Sequence, residues 1–149
     1  MKIGLIVLGV LTFIIILVMT LNLKTPSTIG VVEGKLAALP DTPNAVSSQT
    51  NDPTKQVRPF PFKGDLVQTK AKILAIVNEM NGTTVITVTN DYIHIVCVTE
   101  VMKYRDDVEF YFDLENEVVH FRSASRIGYS DKGLNKQRYE LIWNHYMSQ

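Results

Sequence analysis

Chemically capable side chains are densest in the segment HFRSASRIGYSDKGLN, residues 120–135 of this 149-residue chain. Arg122 and Arg126 could form a fork for a carboxylate or a phosphate, because guanidinium N–H groups match both anions. The start of a following helix would add free backbone N–H groups. Ion pairing within the protein is the alternative. The acidic residues that could serve for it are Asp106, Asp107 and Glu109.

The same segment raises the question of catalysis. His120 or Asp131 could transfer protons in a hydrolase, with the two arginines as electrophilic clamps. Ser123 or Ser125 would need an adjacent base and an oxyanion hole to act as a nucleophile. No G-x-S-x-G turn surrounds either serine. We therefore expect no catalytic residue here and keep hydrolysis as an alternative function.

A metal site would need ligands at suitable spacing. His94, His120 and Asp113 are predicted to share one face of a sheet, where they could hold a metal or exchange protons. Their spacing matches no metal signature, so packing against tyrosines on neighbouring strands is the favoured role. Cys97 is the only cysteine, which excludes an intramolecular disulfide and a cysteine-rich metal site. We predict no metal and no cofactor.

Four further polar residues surround the predicted start of the last helix. Ser130 or Asp131 can cap that helix with a side-chain oxygen. Asn135 and Arg138 could line the same corner as Arg126. Helix capping and exposed charge explain these residues as well as ligand binding does.

Hydrophobic periodicity predicts the elements that position these side chains. A helix follows Asp65 and ends at Asn81-Gly82, and a second helix covers residues 135–146. Between them, β-branched runs form two hairpins around Asn90-Asp91 and Glu115-Asn116. The order helix, four strands, helix predicts an α+β domain, a four-stranded antiparallel sheet with both helices packed on one face.

Strict alternation assigns side chains to the two faces of this sheet. The predicted core face carries Ile86, Val88, Ile93, Ile95, Cys97, Val108, Phe110, Phe112, Val119 and Phe121. His120, Arg122 and Arg126 point away from the core, whereas Ser123 and Ser125 point toward it near the rim. The arginine side chains should therefore meet residues of the opposite face.

The turn between the last two predicted strands sets their register. If Glu115-Asn116 is a two-residue turn, Tyr111 lies opposite His120 and Glu109 lies opposite Arg122. Opposed charges across such a pair contribute from a few tenths of a kcal/mol to about 1 kcal/mol. Arg122 is thus expected to have an acidic neighbour.

The N-terminal run from Ile3 to Leu21 has no charge and only two polar side chains, both threonines. As a helix it would span roughly 28 Å, about the hydrocarbon core of a bilayer. A cleaved signal peptide would have a shorter apolar region and small residues at its exit, which here reads MTLNLKT. A cleaved signal and a buried soluble helix are the alternatives. We predict that residues 1–24 are an uncleaved anchor, a single-pass helix in a bacterial inner membrane.

Composition shifts after the anchor. Residues 25–64 contain all six prolines and are predicted to form an extended, partly mobile tether. Phe60 and Phe62 would dock it on the globular domain, residues 65–149. A short head before a first apolar helix usually stays in the cytoplasm, so the domain should face the periplasm. The balance of 15 basic and 15 acidic residues argues against a nucleic-acid partner.

Two segments resemble the domain-of-unknown-function family 1499. They are PDTPNAVSSQ, residues 40–49, and VEFYFDLENEVVHFRSASRIGYSDKGLNKQRYELI, residues 108–142. The family typically shows a PNCVSS segment and a block of the form H-F-R-S-A-S-R-x-G-x-S-D-x-G-x-N-R-x-R. The resemblance covers about residues 39–146. Its members are often exported or membrane-anchored bacterial proteins, some plant relatives are directed to the chloroplast, and the family implies no activity.

The resemblance implies that one corner is a signature surface. The positions that match the block are Arg122, Ser123, Ser125, Arg126, Gly128, Ser130, Asp131, Gly133, Asn135 and Arg138. Two positions that commonly hold cysteine in the family are Leu39 and Ala45 here, so any thiol role of the family is absent from this chain.

The PNAVSS segment is the other half of the resemblance. Asn44, Ser47 and Ser48 are small hydrogen-bonding residues on a strip without periodicity. Because both matching segments are polar, we expect the strip to fold back beside Arg122 and Arg126.

These features predict a membrane-anchored envelope module without catalytic activity, facing the periplasm. It would bind an anionic small molecule or another envelope protein through the arginine corner. One alternative is a hydrolase-like enzyme that uses His120 or Asp131 with Arg122 and Arg126. The other is a purely structural corner that joins the tether to the domain.

Overall fold

A six-stranded antiparallel sheet organises the chain in the computed structural model, which describes residues 2–149. The helices are α1, Lys2–Leu23, α2, Leu66–Glu79, and α3, Leu134–Met147. The strands are β1, Val31–Val32, β2, Lys35–Leu36, β3, Ala45–Ser47, β4, Phe60–Pro61, β5, Thr83–Val88, β6, Tyr92–Val98, β7, Arg105–Asp113, and β8, Val118–Ser125. The main sheet runs β3-β8-β7-β6-β5, and β4 also pairs with β8. β1 and β2 form a small hairpin apart from it.

The α+β class is confirmed, but the predicted four-stranded sheet is wrong. β3 and β4 are additional strands, and both come from the segment that was predicted to be a tether. They contain three and two residues, too few to show an alternating pattern. Both are antiparallel to β8, with Ala45 opposite Ala124 and Phe60 opposite Val119. They cover an edge of β8 that would otherwise present unpaired backbone groups.

α2 and α3 cover one face of the sheet. α2 begins after Asp65, whose carboxylate accepts a hydrogen bond from the Gln68 N–H at 2.8 Å. The fully buried side chains beneath the two helices include Ile73 and Val77 of α2 and Ile142 of α3. This layer matches the two-helix face that the periodicity predicts.

Phe60 joins this core from β4. Its ring centroid lies 5.3 to 6.3 Å from five aromatic rings. The neighbours are Phe110, Phe121, Tyr139, Trp143 and Tyr146. The side chain is fully buried. Phe60 therefore docks its segment on the domain, as the sequence predicts.

The segment from residue 26 to residue 40 lies over the opposite face of the sheet. Its Gly30 N–H donates to Glu109 Oε1 at 2.9 Å, and the Leu36 N–H donates to Gln49 Oε1 at 2.8 Å. Leu36 itself is buried. The polar face of the sheet is therefore enclosed between this segment and the strands rather than exposed to solvent.

β5 departs from the predicted alternation. Its register with β6 shifts between Val85 and Thr87, which marks a β-bulge. Ile86 and Val88 are 51% and 47% exposed, so their predicted place in the core is wrong. Val85 packs against the core instead. The bulge falls at Ile86 and takes that residue off the core face, whereas Val88 pairs opposite the buried Ile93 but lies exposed at the end of an edge strand. A pattern of period two cannot anticipate either effect.

The predicted register of the last hairpin is correct, with Glu109 opposite Arg122. Its turn is longer than predicted, because residues 114–117 lie outside the ladder. The Asp113 carboxylate accepts hydrogen bonds from two backbone N–H groups of that turn, at 3.1 and 3.0 Å. A two-residue and a four-residue turn centred on the same bond give the same pairing, so the register survives the difference.

Candidate functional site

Three arginines of the predicted corner pair with three carboxylates of β7. The pairs are Arg122 with Glu109, Arg126 with Asp107 and Arg138 with Asp106, at nitrogen-to-oxygen distances of 2.8, 2.8 and 2.7 Å. We call them the three ion pairs. All three carboxylates are at most 1% exposed. Of the two roles that the sequence left open for Arg122 and Arg126, internal ion pairing is the one that the contacts show.

Alternation along β7 distributes the pairs over both faces. Asp106 points to the helix face, where α3 supplies Arg138. Asp107 points to the opposite face, and successive strand residues always diverge in this way. Arg122 and Arg126 thus lie on the face opposite the helices, as predicted.

Arg126 joins β7 to the end of α1. Its Nε and Nη2 donate to the two oxygens of Asp107, both at 2.8 Å. Its Nη1 donates to the Leu23 carbonyl at 2.9 Å, at the end of the helix. A cation at a helix C-terminus also interacts favourably with the helix dipole. One side chain therefore satisfies a buried carboxylate and the last turn of α1 together.

Asn22 makes a second connection at the same place. Its Nδ2 donates to the Lys103 carbonyl and its Oδ1 accepts from the Arg105 N–H, both at 2.9 Å. Asn22 is the one residue of α1 that is buried, within the described Lys2–Leu23. We call the hydrogen bonds of Asn22 and Arg126 the exit contacts. They attach the end of α1 to the connection between β6 and β7.

Asn135 and Arg138 complete a buried network on the helix face. Arg138 Nη1 donates to Asn135 Oδ1 at 2.6 Å and to Ser123 Oγ at 3.1 Å. Ser123 Oγ donates to Asn135 Oδ1. Asn135 Nδ2 donates to the Asn44 carbonyl at 2.8 Å and to Ser125 Oγ at 3.2 Å. Such a network holds its members in one geometry, because leaving any member unpaired inside the protein is costly.

The PNAVSS strip lies beside β8, as the sequence predicts. Ser47 is opposite Arg122 in the ladder. Asn44 Nδ2 donates to the Gly128 carbonyl at 2.7 Å, and the Asn44 carbonyl accepts from the Ser125 N–H at 3.1 Å. The two segments of the resemblance are therefore in direct contact, and Asn44, Ser47 and Arg122 are buried there.

Asp131 and Ser130 act at the start of α3. Asp131 accepts from the Gly133 N–H at 3.1 Å and from the Asn135 N–H at 2.7 Å. Ser130 Oγ accepts from the Lys132 N–H at 3.2 Å. Both oxygens of the Asp131 carboxylate accept hydrogen bonds within this turn. The carboxylate that lies beside His120 belongs to Asp113.

Two histidines contact aspartates of β7. His94 Nε2 lies 2.8 Å from Asp107 Oδ1, and His120 Nε2 lies 3.6 Å from Asp113 Oδ2. Burial opposes ionisation of Asp107, but hydrogen bonds from His94 and Arg126 and the charge of Arg126 together lower its pKa. Within residues 2–149, no group of three His, Cys, Asp or Glu side chains is arranged to hold a metal ion.

A serine that sequence reasoning did not connect to His120 lies next to it. Ser48 Oγ is 3.2 Å from His120 Nδ1, and Asp113 is on the other side of the ring. Tyr111 stacks on the imidazole, with centroids 6.0 Å apart and planes 13° from parallel. Burial lowers the pKa of His120 and outweighs the opposing effect of Asp113. A neutral imidazole between a hydroxyl and a carboxylate is the arrangement found in catalytic triads. There the imidazole is the general base for the hydroxyl, and the carboxylate orients the imidazole.

The surroundings of Ser48 provide little else for catalysis. Its Oγ accepts a hydrogen bond from the Phe121 N–H at 2.9 Å. The Ser48 N–H donates to the Phe121 carbonyl at 2.8 Å, and the Gln49 N–H donates to Ser47 Oγ at 3.1 Å. Both neighbouring N–H groups are already used within the fold, whereas an oxyanion hole needs donors directed at the substrate.

A small cavity of about 270 Å³ adjoins Arg122 beneath the covering segment. Arg122 Nε is the one buried side-chain nitrogen or oxygen in residues 2–149 that has no hydrogen-bond partner. Leu39, one of the two positions where the family commonly has cysteine, lines the same cavity. The Arg122 guanidinium thus pairs with Glu109 through Nη1 and keeps Nε unused.

A larger cavity of about 670 Å³ lies at the end of the sheet where β6 connects to β7. We call it the end cavity. Its apolar walls come from α2, β6, the β6–β7 connection and α3. These wall residues are Met80, Val98, Val101, Met102, Leu134 and Leu141. Asp106 and Arg138 lie at its polar side, and its volume is within the range of small-molecule sites.

The sequence did not reveal the end cavity, because its lining comes from strands β5 to β8, from α3 and from the connections between them. The available signal was an apolar pair, Val101 and Met102, inside a connection where polar residues are expected.

The comparisons with known proteins agree with the resemblance of the two segments. The model of the family described as "Protein of unknown function (DUF1499)" matches residues 35–145. Searches of curated proteins and of solved structures found no match. The matched region begins after α1 and contains the three ion pairs, the PNAVSS strip and the whole lining of the end cavity.

Proposed function

The chain belongs to the DUF1499 family, which is described only as of unknown function, and we propose that it is a membrane-anchored module without catalytic activity. α1 crosses a bacterial inner membrane once, and the globular part faces the periplasm. The three ion pairs are structural, and they hold the sheet, the PNAVSS strip and the end of α1 in one arrangement.

The exposed surface of α1 carries this proposal. The helix has 22 residues and a mean hydropathy of 2.9 over its most apolar window, and that window is not buried within the described chain. Ile3 and Phe13 are 79% and 67% exposed. Leaving apolar surface in water costs about 25 cal/mol for each Å², so this helix needs a covering environment. Its length suits a bilayer.

The exit contacts support retention of α1. The last turn of the helix supplies hydrogen-bond partners to the domain, because the Leu23 carbonyl accepts from Arg126 and the Asn22 side chain bonds to the backbone at Lys103 and Arg105. Cleavage of a signal peptide after residue 24 would remove those partners. It would leave Arg126 with Asp107 and the Thr25 hydroxyl as its partners.

The test is whether the full chain is found in the membrane fraction of cells, and at which residue that chain begins. We expect it to stay in the membrane fraction after alkaline extraction, with residues 2–23 present by mass spectrometry. A phosphatase fused at Gln149 should be active, because the C-terminus would be periplasmic. As a control, glutamates in place of Leu11 and Ile14 should release the chain to the soluble fraction. Recovery of a soluble chain that begins near residue 25 would refute the anchor.

A second candidate function is acyl hydrolysis, and the row Ser48, His120 and Asp113 favours it. Ser48 Oγ would attack an ester carbonyl and pass its proton to His120 Nδ1. The leaving alcohol would take that proton, and water would then release the acyl group from Ser48 by the same route. Asp113 would stabilise the imidazolium. The occupied backbone donors around Ser48 are the reason we place this candidate second.

A serine-reactive fluorophosphonate distinguishes the two candidates. A module without catalytic activity should show no labelling of the full chain above that of heat-denatured protein. The hydrolase should be labelled at Ser48, and both Ser48→Ala and His120→Gln should abolish the label. Ser130→Ala is a matched control, since Ser130 lies in an exposed turn.

A further inference from the structure

The end cavity lies beside the end of α1. Asn22, in the last turn of the helix, bonds to the backbone at Lys103 and Arg105. The connection from Thr99 to Tyr104 forms one wall of the cavity. If α1 spans a bilayer, this wall must lie near the level where the helix leaves the hydrocarbon core.

The same connection exposes apolar side chains. Val101 is 84% exposed and Met102 is 62% exposed. Tyr104 and Tyr129 are 39% and 75% exposed, and tyrosine is enriched where proteins meet the membrane interface. An apolar loop tip in water is unfavourable. Near the level where α1 leaves the hydrocarbon core, the same tip would contact lipid instead.

The interior of the end cavity is suited to a hydrocarbon chain. Val98 of β6 and two leucines of α3, Leu134 and Leu141, provide apolar walls. The Asp106–Arg138 pair at its polar side is mutually neutralised, with 2.7 Å between the charged atoms. It therefore offers no unpaired charge to a ligand, and apolar contact is the main interaction that the walls can provide.

The charges at the rim are of both signs. Lys103 and Lys132 are exposed near the cavity, as is Glu100, and Asp131 lines it as well. The rim thus has no excess of either sign that would select a free anion or a free cation. A phospholipid fits both the apolar interior and the rim of mixed charge, because its acyl chain can lie inside the cavity while its polar headgroup stays at the rim.

We propose that the end cavity takes an acyl chain of a phospholipid from the bilayer that holds α1. This inference rests on the anchoring proposed above. The apolar mouth formed by Val101 and Met102 admits the chain from the side, and the headgroup stays at the rim. The globular part is then a lipid-binding module that works at the surface of its own membrane.

The experiment uses the full chain in vesicles of phosphatidylethanolamine and phosphatidylglycerol, with a trace of phospholipid that bears a diazirine at the end of one acyl chain. After irradiation, mass spectrometry maps the crosslinked peptides. We expect crosslinks in residues 97–104 and 134–141 in addition to those in α1. Crosslinks confined to α1 in a folded, vesicle-bound chain would overturn the lipid site but leave the anchor intact. A chain that does not float with the vesicles would refute the anchor itself.

Matched variants separate the cavity from general contact with lipid. Leu141→Glu puts a charge on the cavity wall, and we expect its cavity crosslinks to fall by about fivefold or more. Leu114→Glu changes another exposed leucine, which follows the far end of β7, and should leave the cavity crosslinks unchanged. Equal losses in both variants would overturn the proposal.

Two further measurements cover the cases in which Leu141→Glu unfolds or a second copy of the chain covers the cavity. Val101→Glu changes a side chain that is 84% exposed, so it should reduce loop crosslinks without unfolding even if Leu141→Glu unfolds. Native mass spectrometry of the chain in nanodiscs should show a monomer with bound phospholipid. A lipid-free dimer would mean that a second copy covers the cavity, which would overturn the proposal.

Discussion

In each of the three ion pairs, folding removes the arginine from solvent and places it beside a carboxylate that is itself almost completely buried. Burying two charges costs several kcal/mol for each ion, and their attraction offsets that cost only when the geometry is good. The pairs therefore contribute more to one defined arrangement than to net stability. Removing one partner has a different effect, because the other charge stays buried and uncompensated.

We predict that Arg122→Gln and Glu109→Gln each lower the free energy of unfolding by about 3–5 kcal/mol. The double variant should lose clearly less than the sum, because neither charge is then left alone. Urea unfolding of the full chain in detergent, followed by fluorescence of the single tryptophan, Trp143, measures both. Additive losses would show that the two residues act independently.

The Arg122→Gln variant also tests whether the unpartnered Nε of Arg122 binds an anion. Inorganic phosphate should not raise the melting temperature of the wild-type chain if Arg122 is structural. A rise that Arg122→Gln abolishes would instead show that the guanidinium binds an anion.

His120 predicts a pH dependence at the residue scale. Its pKa is lowered below the ordinary value of 6.5, because burial disfavours the imidazolium despite Asp113. The neutral form is thus favoured by folding, so stability is full above pH 6.5 and declines as the pH falls through the lower, folded pKa. The pKa of Asp113 is also lowered, by its hydrogen bond from Asn116, and its own effect begins only below 3.8.

We expect His120→Gln to flatten the decline in stability that begins just below pH 6.5. Unfolding free energies measured at several pH values would show it, and the C2 proton shift of His120 would report its pKa directly. His145→Gln is the control, since that residue lies exposed in the last turn of α3. An unchanged slope in His120→Gln would assign the decline to another group.

At the scale of elements, the two short strands show how a segment without periodicity enters a core. β4 contributes only two residues to the ladder. Its stability comes from Phe60, which inserts into the aromatic cluster, and from the Phe62 N–H, which donates to the Glu117 carbonyl at 3.0 Å. The strand is therefore defined by side-chain burial more than by its own hydrogen bonds.

We predict that Phe60→Ala costs about 3–5 kcal/mol of stability, because it leaves a cavity among five rings. Phe62→Ala should cost much less, since its ring is only partly buried and lies 6.3 Å from Phe112. Urea unfolding compares the two. Limited proteolysis should also show faster cleavage between residues 50 and 58 in Phe60→Ala. Equal costs would mean that β4 is held by its backbone instead.

At the scale of the whole molecule, the exit contacts determine which end of the sheet adjoins α1. β7 has nine residues and spans about 30 Å from end to end. Arg105, at its start, bonds to Asn22 of α1. The turn after Asp113 is therefore at the far end of the strand from α1.

Spin labels test this orientation. In a Cys97→Ser background, a label at Val101→Cys should be accessible to oxygen and shielded from a water-soluble nickel chelate in vesicles. A label at Leu114→Cys should show the opposite, since it lies at the far end of β7. Both positions are exposed, so neither label should disturb the fold. Similar accessibilities at the two sites would contradict an end-on arrangement.

Local pattern was enough for several features of this protein. The apolar run of α1, the α+β class and the pairing of Glu109 with Arg122 follow from composition, period and turn position, which depend on neighbours in sequence. The PNAVSS strip beside the arginines was also predictable, although from resemblance rather than from periodicity. Each of these needs only short-range information or a recognised segment.

Tertiary structure alone decided the rest. Strands of two or three residues carry no period, so only the exposed edge of β8 made residues 45–47 and 60–61 part of the sheet. Ser48 meets His120 across 72 positions of sequence, and the lining of the end cavity comes from strands β5 to β8, from α3 and from the connections between them. The choice between ion pair and ligand fork for the arginines depended on the cover over the second face. That cover lies over Asp107 and Glu109, the two buried carboxylates of the second face, and a buried carboxylate requires a partner.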